Sequence, residues 1–115
     1  MAATGIFKNA IKKDVGNSFT TIYETPSSKT SYVIQLDISS VSNSGVQVSV
    51  RVKDTSQGVG GTSAFLVKNA PIPVGSAIQV IDGQKIVLEA TDLIEVKCDT
   101  TGSTVDVIMS LIEDV

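Results

Sequence analysis

The stretch Gly45–Asp54, with the sequence GVQVSVRVKD, decides the fold because every second residue in it is a valine. Its apolar positions are Val46, Val48, Val50 and Val52. Successive side chains of a β-strand point to opposite faces, so this alternation predicts a strand with one buried and one solvated face. The chain is therefore expected to be organised around β-strands.

A second alternating stretch precedes the first one along the chain. Its four apolar positions, predicted to share one face, are Tyr32, Ile34, Leu36 and Ile38. The four residues 41–44 between the two stretches, VSNS, include residues that favour turns. This pattern predicts that the two stretches form an antiparallel hairpin at the centre of a sheet.

The composition agrees with β structure throughout the chain. Val and Ile together number 28 against 5 Leu, and side chains branched at Cβ fit a pleated sheet better than a helix. A chain of 115 residues forms one domain and can bury roughly two thirds of its unfolded surface. A folded soluble domain is therefore expected to need neither a metal nor a disulfide.

Further strands are predicted on both sides of these stretches. The segment 77–89 is interpreted as a hairpin with residues 81–83 as its loop, because this register keeps the apolar side chains on one face. Pro71 and Pro73 predict an extended connection outside the sheet interior. The predicted strands are 19–24, 32–39, 45–54, 64–67, the two arms of the hairpin, 93–99 and 104–113. Eight antiparallel strands predict a two-sheet β-sandwich over residues 18–115, with a jelly roll as the first topology and an immunoglobulin-like sandwich as the alternative.

The segment before the sandwich is predicted to be a short N-terminal arm, residues 1–17. Apolar residues occur at helix-like spacing in it, but so short a helix is marginal unless it packs on something. Residues 1–17 are basic, whereas residues 89–114 carry seven carboxylates. The arm is either a solvated basic end or a docking segment for an acidic neighbour, possibly another copy. The residues of this predicted docking arm are Ile6, Phe7, Lys8, Ile11, Lys12 and Lys13.

The last predicted strand is apolar on both faces. Val105, Val107 and Leu111 alternate on one face, while Ile108 and Ile112 lie on the other. A strand of this kind is either central in a core or covered by another subunit. Ile108 and Ile112 are therefore the candidate self-association residues.

The residue types exclude most catalytic chemistry. The chain has no histidine, which excludes serine-histidine and cysteine-histidine catalysis and histidine-based metal sites. Glu89, Asp92 and Glu95 are interpreted as surface charge rather than as a calcium site or an acid/base pair. Cys98 alternates in phase with apolar residues and is predicted to be a buried, unreactive thiol. No enzymatic activity and no cofactor are expected.

Nucleic acids and membranes are not expected as partners. The net charge of −3 disfavours binding to phosphates, and few aromatic side chains are available for base stacking. The glycine-rich stretch 55–62 lacks the lysine of a phosphate-binding loop. No apolar run approaches the roughly 20 residues of a membrane span.

Two stretches nevertheless resemble a known family. Residues 65–76, FLVKNAPIPVGS, and residues 85–96, KIVLEATDLIEV, resemble small virion structural proteins of tailed bacteriophages, particularly contractile-tailed phages of marine bacteria. The resembling features are a strand that ends in a lysine, a pair of prolines and a glycine, and a second strand that follows. The similarity spans most of residues 14–113.

The resemblance implies a non-enzymatic structural protein on the exterior of a virion, as a capsid decoration or cement protein or in association with the tail or its fibres. It implies other capsid or tail proteins as partners, a homo-oligomer, with a trimer favoured, and assembly in the host cytoplasm. The alternative is a small soluble binding module, such as a carbohydrate-binding β-sandwich. Sugar sites favour exposed Trp and Tyr, but Trp is absent and only Tyr23 and Tyr32 are present.

Overall fold

The computed structural model describes residues 5–55 and 61–113, apart from the side chains of residues 83 and 84. Residues 56–60, the middle of the glycine-rich stretch, lie outside the described residues. The described chain forms strands and no helix, which confirms the predicted all-β class. The eight strands are β1 (Ile6–Val15), β2 (Thr20–Glu24), β3 (Ser31–Ser40), β4 (Val46–Asp54), β5 (Thr62–Ile72), β6 (Ala77–Leu88), β7 (Leu93–Cys98) and β8 (Val105–Glu113).

The strands form two four-stranded sheets. The first sheet has the order β1-β8-β3-β6 and the second has the order β2-β7-β4-β5. β1 pairs with β8, β2 with β7, β3 with β6 and β4 with β5, all antiparallel, so the chain is one long ribbon wrapped into a double sheet. This is the jelly-roll arrangement. The immunoglobulin-like alternative is wrong, because that fold groups its first two strands in one sheet.

The core lies between the two sheets and is aliphatic. On β4, Val46, Val48 and Val50 are buried as the alternation predicts. On β7, the free thiol of Cys98 is fully buried, which confirms its predicted position. The inward face of β8 is buried along its whole length and consists of Val105, Val107, Met109 and Leu111. The opposite faces of these strands are exposed or half-buried, except at Ser49 of β4, which is buried.

The N-terminal segment forms a strand, although its apolar residues occur at helix-like spacing. Residues 6–15 form β1, an edge strand whose backbone pairs with β8. A register shift between Lys12 and Val15 bends its end. Asp14 lies at this shift with a φ of 55°, and its N–H donates to Asp106 Oδ1 at 3.0 Å. Long-range pairing with β8, which the local spacing of apolar residues does not reveal, therefore determines the conformation of this segment.

The predicted hairpin between β3 and β4 is also wrong. Each strand is central in its sheet, but β3 belongs to the first sheet and β4 to the second, so residues 41–45 cross between sheets. A register shift between Val33 and Gln35 changes the phase of β3. As a result Val33 is buried together with Leu36 and Ile38, whereas Tyr32 and Ile34 do not share their face. A one-residue bulge moves all following side chains to the opposite face.

A second bulge replaces the predicted hairpin at residues 81–83. β6 is one strand of 12 residues that pairs with β3 along its length. Val33 pairs with Ile86 and Gln35 with Asp82, so residues 83–85 lie opposite Ile34 alone. Asp82 and Gly83 are turn residues, but here Asp82 pairs with Gln35 and Gly83 begins a bulge. Ile81, which was assigned to the loop, is buried in the core.

β5 is longer than the predicted strand 64–67 and includes Pro71. It is an edge strand, the position in which a sheet tolerates proline. Its bulge places residues 68 and 69 opposite Ser49. The buried Ser49 Oγ donates to Asp99 Oδ2 at 2.6 Å and accepts from the N–H of Asn69 at 3.1 Å. This buried hydroxyl therefore satisfies the backbone where the ladder is interrupted.

Candidate interaction face

The outer face of the first sheet, opposite the core, carries a continuous apolar row across all four strands. Phe7 pairs with Ile112, Ile112 with Tyr32, and Tyr32 with Val87. We call these four residues the apolar row. Phe7 is 78% exposed and Val87 is 54% exposed, so water covers most of both side chains in the isolated chain.

A polar row lies beside the apolar row and separates it from a second apolar pair. In register, the polar row is Asn9, Ser110, Gln35 and Asp82. Beyond it, Ile11 on β1 pairs with Ile108 on β8, and these residues are 59% and 51% exposed. Exposed apolar surface of this kind is typical of sites of interaction with another molecule.

The structure thus brings together residues that the sequence suggested for two separate sites. Phe7 and Ile11 of the predicted docking arm lie beside Ile112 and Ile108, the predicted self-association residues, because β1 pairs with β8. The other docking-arm residues behave differently. Ile6, Lys8 and Lys12 occupy the alternate positions of β1, and Lys13 lies at its register shift.

Tyr32 and Val87 were missed as members of this face. The bulges in β3 and β6 place them there, and local alternation cannot reveal a bulge. One signal was available for Val87. The run Ile86-Val87-Leu88 has three apolar residues in sequence, so at least one of them must point away from the core in any strand.

A polar network joins the two sheets at the end of β1 and β8. The buried Glu113 carboxylate accepts from Lys8 Nζ at 3.0 Å through Oε1 and from the Tyr23 hydroxyl at 2.5 Å through Oε2. The Tyr23 hydroxyl also lies 2.8 Å from Ser31 Oγ. Since Tyr23 comes from β2 and the other three residues from the first sheet, the network fastens one sheet and the edge strand β1 to the other.

This network shifts the protonation of two of its members. The hydrogen bond from Tyr23, followed by that from Lys8, lowers the pKa of the Glu113 carboxyl below its ordinary value, against the opposing effect of burial. Burial, together with the hydrogen bond to Glu113, raises the pKa of Tyr23 to about 12. The folded protein therefore favours a charged carboxylate beside a neutral phenol.

An acidic cluster lies at the same end of the sandwich. Asp54, Glu89 and Asp92 place carboxylate oxygens within 4.8 Å of one another. The buried Asp92 accepts from the N–H of Thr55 at 3.1 Å and from the N–H of Glu89 at 3.0 Å. Its carboxylate therefore holds two loops together. Glu95, grouped with Glu89 and Asp92 by sequence, instead pairs with Arg51 at 2.7 Å.

Outside the outer face of the first sheet, the described aromatic side chains already have cationic or hydrogen-bonding neighbours, and the exposed Phe65 ring has Lys68 Nζ at 5.3 Å. The Phe19 ring is covered by the Arg51 guanidinium at 3.7 Å, and the Tyr23 hydroxyl is bound in the network. A shallow depression of about 390 Å³ lies at the opposite end of the sandwich. Its lining has no aromatic side chain and consists of Gly45, Val46, Gln47, Pro71, Ile72, Pro73 and Thr100. Within the described ranges, we find no helix of the length and apolarity that a membrane crossing requires.

Comparison with known proteins identifies the fold. No family model and no curated protein matches the sequence. Among solved structures, the chain is similar to a protein of the Bacillus endospore appendages, a family of disulfide-linked pili. The TM-score is 0.56 at 13% identity, covering 100% of this chain and 91% of that one.

Two phage structures also resemble the chain. A chain of the acidic stable capsid of the Helicobacter pylori bacteriophage KHP30 matches with a TM-score of 0.56 at 11% identity, covering 99% of this chain and 94% of that one. A pentameric capsid protein from metagenomic phage sequences matches at 20% identity, covering 91% of this chain and 60% of that one. Its TM-score of 0.41 is too low to infer the same fold. At 11% to 13% identity the first two likenesses show a shared fold. The chain is therefore a jelly-roll β-sandwich of the kind found in a pilus protein and in a phage capsid.

Proposed function

We infer that the protein is a non-enzymatic structural protein of a phage virion, present in many copies on the exterior of the particle. It serves there as a capsid decoration or cement protein, or in association with the tail or its fibres. The observation that carries this proposal is the apolar row on the outer face of the first sheet, which a protein acting alone has no reason to expose.

Three further features support this role. The fold is shared with a chain of a phage capsid. Residues 65–76 and 85–96 carry the resemblance to virion structural proteins of tailed phages. The described side chains form no catalytic constellation, since histidine is absent and the buried carboxylates of Asp92 and Glu113 are engaged in structural hydrogen bonds.

The proposed role needs two kinds of contact. Copies of the chain associate with one another, and the assembly binds other capsid or tail proteins after synthesis in the host cytoplasm. The family resemblance favours three copies, whereas closed symmetry by itself favours two. β1 contributes to assembly on the particle in two ways, because its exposed Phe7 and Ile11 serve the contact between copies and its exposed Lys12 and Lys13 serve the contact with the particle.

Removal of β1 tests this proposal. A chain that begins at Asp14 should still melt cooperatively, since residues 6–13 are all exposed except Ala10, which is only partly buried. The shortened chain should fail to bind virions of the phage that encodes it. Because the truncation also exposes the edge of β8, Phe7→Ser with Ile11→Ser in the full chain provides a second variant that keeps the backbone pairing.

The matched control is Val74→Asp, which changes a residue that is 57% exposed and lies outside the strands. The control should decorate particles at wild-type occupancy, measured by quantitative gel analysis of purified virions. Wild-type occupancy of both the truncated chain and the double serine variant would refute the docking role of β1. Failure of the unaltered chain to co-purify with virions, combined with binding on a glycan array, would favour the carbohydrate-binding alternative.

A further inference from the structure

We propose that the outer face of the first sheet packs against the same face of a second copy, about a two-fold axis parallel to the strands. In this pair β1 of each copy lies over β6 of the other. The inference builds on the proposed self-assembling role and specifies its partner and geometry. It follows from the edges of the sheets, the size of the face and the distribution of its side chains.

The edges of both sheets are protected against pairing with another strand. Natural sheets protect edges with inward-pointing lysines, prolines, bulges and short strands. β1 has Lys8 and Lys12 in register with core-facing residues of β8, and β6 is bulged at residues 83–85. In the second sheet, β5 contains Pro71 and β2 has five residues. Extension of a sheet from one copy into the next is therefore disfavoured, which leaves the faces.

The size of the face suits a specific pair. Four strands about 4.8 Å apart, with residues about 3.4 Å apart from Phe7 to Lys13, give a face of about 19 Å by 20 Å, or roughly 400 Å² in projection. Side-chain relief makes the accessible surface larger than its projection. Two copies together would therefore bury a total near the roughly 1,000 Å² expected of a specific interface.

Two rows of the face, the apolar row and the polar row, complement themselves in this orientation. The apolar row meets its own copy, with Phe7 against Val87 of the partner subunit and Ile112 against the partner's Tyr32. In the polar row, Asn9 meets the partner's Asp82, so an amide N–H can donate to a carboxylate. A pair built this way buries the most exposed apolar side chain, Phe7, and leaves the polar row hydrogen-bonded.

Charge also favours this orientation. The carboxylates in the paired rows of this face lie on one side of it, Asp37 on β3 and Asp82 on β6. A two-fold axis parallel to the strands sets these carboxylates over β8 and β1 of the partner subunit, so the two acidic sides do not face each other. The alternative axis, perpendicular to the strands, would place the acidic sides over each other and is disfavoured by like-charge repulsion.

A charge-exchange experiment tests the pair directly. Static light scattering of the purified chain at micromolar concentration should give twice the chain mass of 12.0 kDa. Asn9→Asp in one chain and Asn9→Lys with Asp82→Lys in another should each weaken the pair by about tenfold or more at low salt, because like charges then face each other. Both residues are exposed, so circular dichroism should show intact folds.

The decisive measurement is an equimolar mixture of the two variant chains. In a mixed pair opposite charges face each other at both contacts between position 9 and position 82, so the mixture should recover the dimer mass while each variant alone does not. Three times 12.0 kDa for the wild-type chain would overturn the two-fold pair in favour of a trimer. The proposed orientation would be overturned if both variants alone form dimers as tightly as the wild-type chain, or if their mixture stays monomeric.

Binding to virions, measured beside the mass, distinguishes failure of this pair from failure of the proposed function. A wild-type chain that stays at 12.0 kDa but decorates virions would overturn self-association through this face and leave the structural role standing. In that case the particle itself covers the apolar row, and Phe7→Ser should reduce virion occupancy without changing the mass of the free protein. A monomer that neither pairs nor binds virions would contradict both proposals.

Discussion

Replacing Met109 with aspartate should unfold the domain, whereas replacing its neighbour Ile108 with aspartate should keep the fold and abolish self-association. The two residues are adjacent on β8 and point to opposite faces. Met109 is fully buried and Ile108 is 51% exposed. Burying an unpaired carboxylate costs several kcal/mol and adds to the roughly 2–5 kcal/mol that loss of a buried methionine costs, which together approach the total stability of a small domain.

The expected cost at Ile108 is much smaller. Aspartate is a poor strand residue and would lie opposite Asp37, so we expect a destabilisation of about 1 kcal/mol. Ile108→Lys serves as a companion variant because it avoids the like charge. Both variants should show cooperative thermal melting by circular dichroism. In the proposed pair Ile108 lies over the partner's Asp37, so Ile108→Asp should give a monomer mass by light scattering, whereas Ile108→Lys should keep the pair. Val74→Asp should change neither quantity. If Ile108→Asp unfolds the chain, Ile108 belongs to the intramolecular core and the interface lies elsewhere.

Acidification should destabilise the protein through Glu113. The native network lowers the pKa of this carboxyl from its ordinary value of 4.5, so the folded state binds the deprotonated form more tightly than the unfolded state does. The contribution of Glu113 to the free energy of unfolding is fully present at pH values above that ordinary pKa. It is lost as the pH falls from about 4.5 through the lower pKa of the folded protein. Denaturant titrations at several pH values measure this loss.

Glu113→Gln isolates the contribution of this one residue. Near neutral pH the variant should lose about 1–3 kcal/mol, because Lys8 and the Tyr23 hydroxyl lose a charged acceptor in a buried site. Below pH 4.5 its stability should fall less steeply than that of the wild-type chain. Parallel curves for the two proteins would show that other carboxylates govern the acid transition.

Tyr23 should influence the stability of the protein at alkaline pH, measured by the same denaturant titrations. Since the folded pKa is raised from 10.0 to about 12, the neutral phenol contributes stability that is complete below pH 10 and is lost as the pH rises toward 12. Tyr23→Phe keeps the ring but removes the hydroxyl. Its stability should therefore change less than that of the wild-type chain between pH 10 and pH 12.

Sequence reasoning succeeded where a strand alternates without interruption. β4, β7 and the inward face of β8 follow their alternation, and the burial of Cys98 follows from the same pattern. It failed at bulges and at long-range pairing. The predicted number of eight strands is correct only because two errors cancelled, since β1 was predicted as an arm rather than as a strand and β6 was divided into two strands.

The residues of the candidate interaction face could also be predicted only in part. Ile108 was found because both faces of β8 are apolar, and Phe7 and Ile11 were found because a basic arm carried exposed apolar residues. Their union into one surface depends on the pairing of β1 with β8, which joins positions at opposite ends of the chain. No local pattern carries that information. The phase changes in β3 and β6 hid the other half of the apolar row for a similar reason.

The wrapped ribbon also determines the order in which the parts of the molecule gain stability. Its strand pairs are nested along the chain. The innermost pair is β4 with β5, which are joined by one loop. The outermost pair is β1 with β8, in which Ile6 lies opposite Glu113. Closing a longer loop costs more chain entropy, so pairing should proceed from the innermost pair outward. Native-state hydrogen exchange should find the amides of β1 the least protected and those of β3 and β4 among the most protected. Equal protection of β1 and β3 would contradict this order.

This order links folding to assembly. β1 supplies Phe7 and Ile11, so the outer face of the first sheet remains incomplete until the last strand has joined. Before β1 joins, the edge of β8 is unpaired, and Phe7 and Ile11 are not yet part of the outer face. A newly synthesised chain therefore completes its core before it can present a complete face to a second copy. The order in which the strands pair thus disfavours association of partly folded chains.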